Sequence, residues 1–264
     1  MKLRKSLTYG SNFGFQSHFK SIIKLKKYKY NFIYSPSAHK KKNLDKKFLL
    51  SKDQIKSEKF DLISIATPPV IQNYICRLNI KKAKYFFLEK PLTENYAKTL
   101  KLFKHLKENK IKYYLNFIFP KIKSFKVFYD LIKDKKIVRG IYTWKFKQGY
   151  FVNYRQNWKI SNSQGGGLVN FYLIHVFYNL LYLIGQFKIV KVICKKKKIL
   201  EEIIIYIKTK KNFSMKIEMN INSSSTIHQI VMYNIKDKFE LRNKSKNWVK
   251  NFKLYKNNKN ISVK

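Results

Sequence analysis

The first half of the chain alternates short β-rich runs with stretches long enough for amphipathic helices, and this alternation limits the fold more than any other feature. The predicted strands are 7–9, 30–34, 60–66, 85–88 and 111–117, and the predicted helices are 15–25, 71–78 and 93–109. Pro68 and Pro69 end the third strand. In the last helix, Leu100, Phe103 and Leu106 are predicted to share the buried face. The pattern is typical of a parallel sheet with crossover helices.

Beyond Pro120 the alternation stops. A helix at 125–132 and a strand at 138–146 lead to the triplet Gly165-Gly166-Gly167, and another helix runs through Leu183. The apolar runs that follow are 190–194, 203–207, 215–221 and 228–233. Because no helix-length spacers separate them, we expect an antiparallel sheet.

The length of 264 residues, 45% of them hydrophobic, allows two modest domains, each with its own core. We expect an α/β chain with an N-terminal parallel-sheet domain of nucleotide-binding size in residues 1–118. A C-terminal α+β domain with a large, mainly antiparallel sheet would occupy residues 119–264.

The sequence gives no sign of a membrane anchor or of a disulfide framework. No window approaches the roughly 18 apolar residues of a spanning helix, and the basic residues 1–5 run into a Tyr-Gly-Ser turn instead of an apolar signal core. Cys76 and Cys194 lie far apart, with no His/Cys cluster to indicate a metal. We therefore predict a cytoplasmic protein without a metal site, in which both cysteines are small buried apolar residues.

The formal net charge of +44 has two explanations. The lysines could form a phosphate-tracking surface for nucleic acid, or they could reflect the codon supply of an AT-rich genome. They are spread over the whole length and do not gather on one predicted element, as a nucleic-acid footprint would. We favour the second explanation and expect no specific nucleic-acid partner.

Two glycines, Gly10 and Gly14, lie in the turn between the first strand and the first helix, with Ser11, Asn12 and Phe13 between them. A dinucleotide pyrophosphate needs small residues there, so that the backbone can approach it and helix N-terminal N–H groups can face it. The spacing is one residue wider than in GxGxxG and a third glycine is absent. A dinucleotide-binding turn and an ordinary glycine turn both fit this segment.

The segment after the second strand bears on the choice of cofactor. It contains Ser35, Ser37 and the run Lys40-Lys41-Lys42, with no Asp or Glu to hold an adenosine ribose hydroxyl. Serines and lysines could instead receive a 2′-phosphate, which favours NADP over NAD. Three lysines are equally typical of a solvated turn.

Two further strand ends carry a recognisable pattern. Ala66-Thr67-Pro68 ends one strand, and roughly twenty residues later Glu89-Lys90-Pro91-Leu92 ends the next and precedes a long helix. This order resembles the glucose-fructose oxidoreductase and inositol dehydrogenase (Gfo/Idh/MocA) family. The resemblance implies a Rossmann-type domain that binds NAD(P).

The resemblance places Lys90 beside the nicotinamide and the substrate, with Ala66, Thr67, Pro68 and Glu89 at the cofactor. An ammonium at the carboxyl end of a strand can hydrogen-bond the oxygen of an alcohol or ketone and stabilise alkoxide charge. Lys90 is therefore the first candidate catalytic residue, and it would also contact substrate.

The second half continues the resemblance. Trp158, the glycine triplet and His175 are similar to the family's tryptophan, Gly-Gly-Gly and helix-borne histidine. The resemblance makes His175 an acid/base or substrate ligand, and it places Trp158 and Asn170 at the substrate. A neutral-range imidazole suits proton exchange with a hydroxyl.

Three departures from the family pattern qualify this assignment. Phe171 stands where many members carry an Asp one turn before the histidine, which leaves no carboxylate to orient the imidazole. Gln72 replaces a frequent histidine, and the second domain is expected to be shorter at its C-terminus.

These observations predict an NAD(P)-dependent oxidoreductase, leaning towards NADP, that moves hydride to or from a hydroxyl or keto carbon of a sugar, nucleotide-sugar or polyol. The alternative is a non-catalytic or regulatory member that binds a dinucleotide or sugar. A basic nucleic-acid-binding protein is a third hypothesis, for which only salt-sensitive, non-specific affinity is expected. Homo-oligomers through the C-terminal sheet are also expected from the resemblance.

Overall fold

The computed structural model describes residues 4–37, 44–149, 157–196, 198–247 and 250–261. The chain forms two compact units. The first comprises Met1–Asn116 and the short segment Ser163–Gly165, and the second comprises Phe117–Asn162 and Gly166–Lys264. The boundary expected from the sequence, between residues 118 and 119, does not include the return of the chain to the first unit.

The first unit contains a five-stranded sheet in which all neighbouring strands are parallel. Its strands are β1 (Lys5–Tyr9), β2 (Tyr30–Tyr34), β3 (Phe60–Ile65), β4 (Ala83–Leu88) and β5 (Lys112–Leu115). Their order across the sheet is β2-β1-β3-β4-β5. The predicted parallel sheet is confirmed.

Helices connect these strands, and their ends follow local capping chemistry. The helices are α1 (Lys20–Lys24), which continues a π-helical turn (Gly14–Phe19), α2 (Lys52–Ser57), α3 (Pro69–Leu78) and α4 (Tyr96–Glu108). A short 3-10 turn lies at Lys46–Phe48. Ser51 and Gln54 form a reciprocal capping box at the start of α2. Asn95 caps α4 by accepting a hydrogen bond from the Lys98 N–H.

The buried face of α4 differs from the prediction. Leu102 and Leu106 are fully buried, whereas Leu100 is 48% exposed. Positions two apart on an α-helix lie about 200° apart around its axis, so Leu100 points away from the side that carries Leu102. Phe103 packs at the margin of the same core.

The second unit contains an eight-stranded sheet with the order β13-β12-β11-β10-β6-β9-β8-β7. Its strands are β6 (Arg139–Lys147), β7 (Lys188–Lys196), β8 (Leu200–Lys208), β9 (Ser214–Asn220), β10 (Asn222–Tyr233), β11 (Lys238–Asn243), β12 (Lys253–Lys256) and β13 (Lys259–Ile261). The β6–β9 pair is parallel and the other pairs are antiparallel. The predicted mainly antiparallel sheet is confirmed.

Helices α5 (Lys123–Ile132) and α6 (Ile174–Ile184) belong to the second unit, and a π-helical turn (Leu168–Leu173) leads into α6. Short 3-10 turns lie at Phe119–Lys121, Trp158–Ile160 and Asn162–Gln164. Buried residues of both helices join alternate residues of the strands in one core. Alternation along β8 and β9 shows that one face of each strand is buried and the other is more exposed.

Within the described residues, strand β7 lies at the edge of this sheet and pairs only with β8. All nine of its residues are exposed, including Cys194. The expectation that both cysteines are buried is therefore correct for Cys76 and wrong for Cys194, because no described element packs over either face of this edge strand. No helix within the described ranges combines the length and the apolar character needed to cross a membrane.

Candidate cofactor site and the residues around it

The carboxyl edge of the parallel sheet has a topological switch point. The chain passes from β1 to its neighbour β2 on one side and then to β3 on the other side of β1. Open α/β sheets bind ligands in the crevice at such a reversal. Gly10 follows β1 and Ala66 follows β3, so two of the predicted cofactor segments meet at this point.

Gly10 is required by the close approach of two backbones. Its φ is +122°, and a Cβ built on it would lie 2.5 Å from the carbonyl oxygen of Ala66. The Gly10 N–H donates to the Tyr34 carbonyl at 3.1 Å, and the Ala66 N–H donates to the Tyr9 carbonyl at 2.9 Å. The end of β1 is thus tied to both neighbouring strands, and no side chain fits at residue 10.

Gly14 brings the first helix against β1. A Cβ on Gly14 would lie 3.0 Å from the Tyr9 carbonyl oxygen. The Gln16 N–H already donates to the Asn12 carbonyl at 2.9 Å, so helical bonding starts within the glycine segment. The N-terminal N–H groups of a helix lack helical acceptors and favour anions. Phe13, between the glycines, is exposed.

Three serines from two loops gather beyond the ends of β1 and β2. The Ser37 hydroxyl donates to the Ser11 Oγ at 2.8 Å, and the Oγ atoms of Ser35 and Ser37 are 3.4 Å apart. The structure therefore brings together the three serines that the sequence proposed for the cofactor. The lysine run 40–42 lies outside the described residues.

Thr67 carries a hydroxyl without a hydrogen-bond partner in the described part of the chain, although its Oγ1 is buried. Buried hydroxyl groups are normally satisfied. Thr67 follows β3 directly and Pro68 precedes α3, so this hydroxyl lies at the carboxyl edge of the sheet. A polar ligand at the switch point would supply the missing partner.

Gln72 holds the backbone of the loop after β4. Its side-chain oxygen accepts from the Glu89 N–H at 2.9 Å, and its Nε2 donates to the carbonyl oxygens of Glu89 at 2.7 Å and Leu92 at 3.0 Å. Gln72 is fully buried. Gln72, which stands where the family frequently has a histidine, therefore holds the Glu89–Leu92 loop through both the oxygen and the nitrogen of its side chain.

The side chain of Glu89 is held as firmly as its backbone. His18 Nε2 lies 2.9 Å from Glu89 Oε1, and the Asn116 Nδ2 donates to the same oxygen at 2.6 Å. The other ring nitrogen of His18 lies 2.6 Å from the Ser64 hydroxyl. Lys90 comes next in the chain, is half-buried and precedes Pro91 through a cis peptide bond.

The predicted substrate residues of the second half lie in or beside an aromatic cluster of the second unit. His175 is only 3% exposed, and its ring meets those of Phe117 and Phe119 at 5.8 and 5.4 Å. Trp158 meets Phe171 edge-on at 5.4 Å. Asn170 is half-buried in the π-helical turn before α6.

The last two glycines of the triplet have a packing explanation. A Cβ on Gly166 would lie 2.1 Å from the Trp158 carbonyl oxygen, and one on Gly167, whose φ is +84°, would lie 2.0 Å from Asn162 Oδ1. Residues 158–162 therefore pack directly against the start of the next helix. This packing requires that Gly166 and Gly167 have no side chains, independently of any ligand.

A second buried histidine lies in the same unit. The Tyr142 hydroxyl and His228 Nε2 are 2.7 Å apart, and the Asn179 Nδ2 donates to the Tyr142 hydroxyl at 3.4 Å. The indole of Trp144 stacks on the His228 ring at 4.5 Å. Burial lowers the pKa of His228 from 6.5 to about 3 and raises the pKa of Tyr142, so both groups are neutral.

Residues 7–117 match the sequence model of an oxidoreductase family described as having an NAD-binding Rossmann fold, GFO_IDH_MocA. This part of the chain is similar in sequence to the Gfo/Idh/MocA oxidoreductases. The match contains the glycine turn, Ala66-Thr67-Pro68 and Glu89-Lys90-Pro91, and the predicted resemblance is confirmed. No curated protein matches the chain in sequence.

Solved structures of similar fold extend over nearly the whole chain. The WlbA dehydrogenase from Bordetella pertussis, in complex with NADH and UDP-GlcNAcA, has a TM-score of 0.81 at 13% identity over 95% of this chain and 79% of that one. The aldose-aldose oxidoreductase from Caulobacter crescentus, complexed with glycerol, has a TM-score of 0.79 at 11% identity over 97% and 81%. A 3-ketoreductase from Actinomadura kijaniata, in complex with NADP and TDP-benzene, has a TM-score of 0.79 at 12% identity over 97% and 81%.

The local structure around Phe171 bears on the departure from the expected Asp. The ammonium of Lys159 lies 5.5 Å from the centre of the Phe171 ring, which also packs on Tyr172 at 4.8 Å. The Ile174 N–H bonds the carbonyl of Val169, five residues earlier. A spacing of four residues therefore does not measure one helical turn here, and Phe171 serves aromatic packing.

Sequence reasoning missed His18, Ser64 and Asn116 as members of the site. A signal for His18 was present, because it shares the first helix with the buried Phe15, Phe19 and Ile22. A polar ring among apolar neighbours at helical spacing needs a buried partner. The partner, Glu89, lies far along the sequence, and only the structure identifies it.

Proposed function

We propose that the protein is an NAD(P)-dependent oxidoreductase that moves hydride between the nicotinamide and a hydroxyl or keto carbon of a sugar, nucleotide-sugar or polyol. The observation that carries this proposal is the carboxyl edge of the parallel sheet. There the glycine turn, the unpartnered Thr67 hydroxyl and the clamped Glu89–Lys90 segment follow three neighbouring strands. Similar folds that were solved with NADH and a nucleotide-sugar, or with NADP, support the same chemistry.

The residues of the first unit suit a dinucleotide. The turn from Gly10 to Gly14, with Ser11, Asn12 and Phe13, would hold the pyrophosphate. Ala66, Thr67, Pro68 and Glu89 would lie along the nicotinamide half. When bound, the cofactor supplies or accepts the hydride, while the protein binds and orients it.

We assign a preference for NADP to the serine cluster. Ser11, Ser35 and Ser37 offer three hydroxyls where a carboxylate would hold an unmodified ribose. Hydroxyls can donate to a phosphate, and no acidic residue follows β2 within residues 35–44 to repel one. NADPH is accordingly expected to bind more tightly than NADH.

Lys90 has the chemistry required of the catalytic residue. Its ammonium would donate a hydrogen bond to the substrate oxygen and stabilise negative charge there. His175 is assigned the acid/base role, and Trp158 and Asn170 substrate contacts, on the strength of the family resemblance. A cytoplasmic location, a small sugar-like substrate and homo-oligomers through the C-terminal sheet complete the proposal.

Replacing Lys90 is the sharpest test of this assignment. Lys90→Ala is expected to lower kcat by a factor of about 100 to 10,000 with cofactor affinity kept. Titration with NADPH and NADH, followed by cofactor fluorescence, measures binding in both proteins, and absorbance at the nicotinamide band measures turnover on sugars and polyols. Lys101→Ala, an exposed lysine of α4, is the matched control.

Two results would reject the proposal. Folded protein that binds neither nicotinamide is not an oxidoreductase of this kind. Cofactor binding without turnover would instead support a non-catalytic or regulatory member, a candidate that Phe171 favours. Salt-resistant, sequence-selective binding of nucleic acid would reveal a role for the +44 charge that the proposal denies.

A further inference from the structure

We propose that His18 is a positioning residue that fixes the carboxylate of Glu89 and, through it, the segment that carries Lys90. This inference rests on the proposed function, because it names a further residue for the same reaction. It starts from the burial of His18, which is 3% exposed in the first helix and lies between the rings of Phe13 and Phe87, at 5.4 and 4.7 Å.

The hydrogen bonds fix which nitrogen of His18 carries a proton. An ionised carboxylate only accepts, so Nε2 must donate to Glu89 Oε1 across the observed 2.9 Å. The Nδ1 atom lies 2.6 Å from the Ser64 hydroxyl, a group that can either donate or accept. The bond to Glu89 therefore does not depend on the direction of the bond to Ser64.

Glu89 is thereby held on both sides. Gln72 fixes its backbone, while His18 and Asn116 donate to one oxygen of its side chain. The next residue is Lys90, so its side chain is attached to a backbone segment that has little conformational freedom. Catalytic groups need this kind of support, because a displacement of about 1 Å can cost roughly 100-fold in rate.

The contacts reach four elements of the first unit. His18 comes from the helix after β1, Ser64 from β3, Glu89 from the end of β4 and Asn116 from the end of β5. A purely local packing role would not need polar partners at two neighbouring strands of the sheet. The network joins the glycine turn to the lysine loop across the switch point.

The test compares His18→Leu, which removes the donor, with His18→Gln, which keeps an N–H in reach of Glu89. Each variant is titrated with NADPH, and the emission spectrum of the bound cofactor reports the surroundings of the nicotinamide. His18→Leu is expected to shift this spectrum towards that of free NADPH and to lower kcat about 100-fold with a smaller change in KM. His18→Gln is expected to restore much of both.

His105→Leu, which replaces a half-buried histidine near the end of α4, is the control and is expected to match the wild type. A double mutant tests the route through Glu89. Glu89→Leu, which removes the acceptor, should reproduce the effect of His18→Leu, and the combination should be no worse than either. Circular dichroism checks that each variant is folded, and His18→Gln with Glu89→Leu carries the comparison if His18→Leu is not.

The outcomes separate the two proposals. If the wild type binds neither NADPH nor NADH, the proposed function fails and this inference fails with it. If the wild type binds cofactor but His18→Leu keeps its emission spectrum and its kinetics, only the role of His18 is overturned. Additive losses in the double mutant would likewise show that His18 does not act through Glu89.

Discussion

The two units of the molecule both bury a histidine, but they give it opposite partners. His18 of the first unit meets a carboxylate and a hydroxyl, whereas His228 of the second meets a neutral phenol within a shell of aromatic rings. The surroundings of His228 exclude a positive charge. Burial alone therefore does not mark a functional histidine; its partners do.

The same contrast applies to polar groups in general. In the first unit they follow the carboxyl ends of the strands, where Thr67 and Glu89 lie beside an edge that can receive a ligand. In the second unit, the Tyr142 hydroxyl lies within hydrogen-bond distance of His228 and Asn179 inside the core. We expect substitutions in the first set to change binding and substitutions in the second to change stability.

Among the substitutions that test this contrast between the two units, Gly10→Ala is expected to have the largest effect. The added Cβ would lie 2.5 Å from the Ala66 carbonyl oxygen, so the end of β1 must move at the switch point. Affinity for NADPH should fall by a factor on the order of 100 if the backbone there contacts the pyrophosphate. Fluorescence titration measures it.

Gly149→Ala is the control, because a Cβ there would meet no atom within 4 Å. If Gly10→Ala and the wild type bind NADPH with equal affinity, the glycine turn is not part of the cofactor site. The expectation that substitutions in the first unit change binding would then be wrong at this position.

Unfolding at decreasing pH tests the second unit, in which His228 is buried as a neutral ring. The pKa of His228 falls from 6.5 to about 3 on burial, so the unfolded chain takes up a proton first as the pH is lowered. The contribution of this residue to stability is therefore complete above about 6.5 and is lost as the pH falls towards 3. The maximal slope is about 1.4 kcal/mol per pH unit.

Replacement of His228 isolates this contribution from the rest of the protein. His228→Phe keeps an aromatic ring on Trp144 but cannot titrate. Denaturant unfolding of both proteins between pH 4 and pH 7 should show that the unfolding free energy of the wild type falls relative to that of His228→Phe as the pH falls. A difference that stays constant across this range would show that the pKa of His228 is not lowered in the folded protein.

The smallest effect is expected from Tyr142→Phe. The substitution removes the hydroxyl shared by His228 and Asn179, and it leaves two buried polar groups without this partner. Unfolding free energy should fall by about 1–3 kcal/mol, with NADPH affinity unchanged. Tyr178→Phe, on the exposed side of α6, should have almost no effect on thermal unfolding. A loss of NADPH affinity in Tyr142→Phe would contradict the separation of roles.

Much of the parallel-sheet unit could be predicted from the sequence because its signals are local. Alternating β-rich runs and helices gave the strands, and the residues that follow them carry the motifs, as at Thr67 and Lys90. The exposure of Leu100 shows the limit of this reasoning. Several faces of the helix are apolar enough to be buried, and packing against distant parts of the chain decides which one is.

Features that depend on distant parts of the chain could not be predicted in this way. The exposure of Cys194 follows from the edge position of β7, which strand order decides. The network around Glu89 joins residues that are far apart in sequence, and His18 gave only the signal of a polar ring on an apolar face. The roles of Lys90 and His175 stay predictions until they are tested.

The place of β6 in its sheet affects the order in which the polypeptide can assemble. It is the first strand of the second unit to be synthesised, yet its neighbours are β9 and β10, which come much later. A nascent chain must therefore carry β6 with both edges open until the ribosome has passed Asn220, and with one edge open until it has passed Tyr233. Such delayed, non-local pairing slows folding and exposes strand edges to other chains, so chaperone dependence during synthesis should concentrate on this half of the protein.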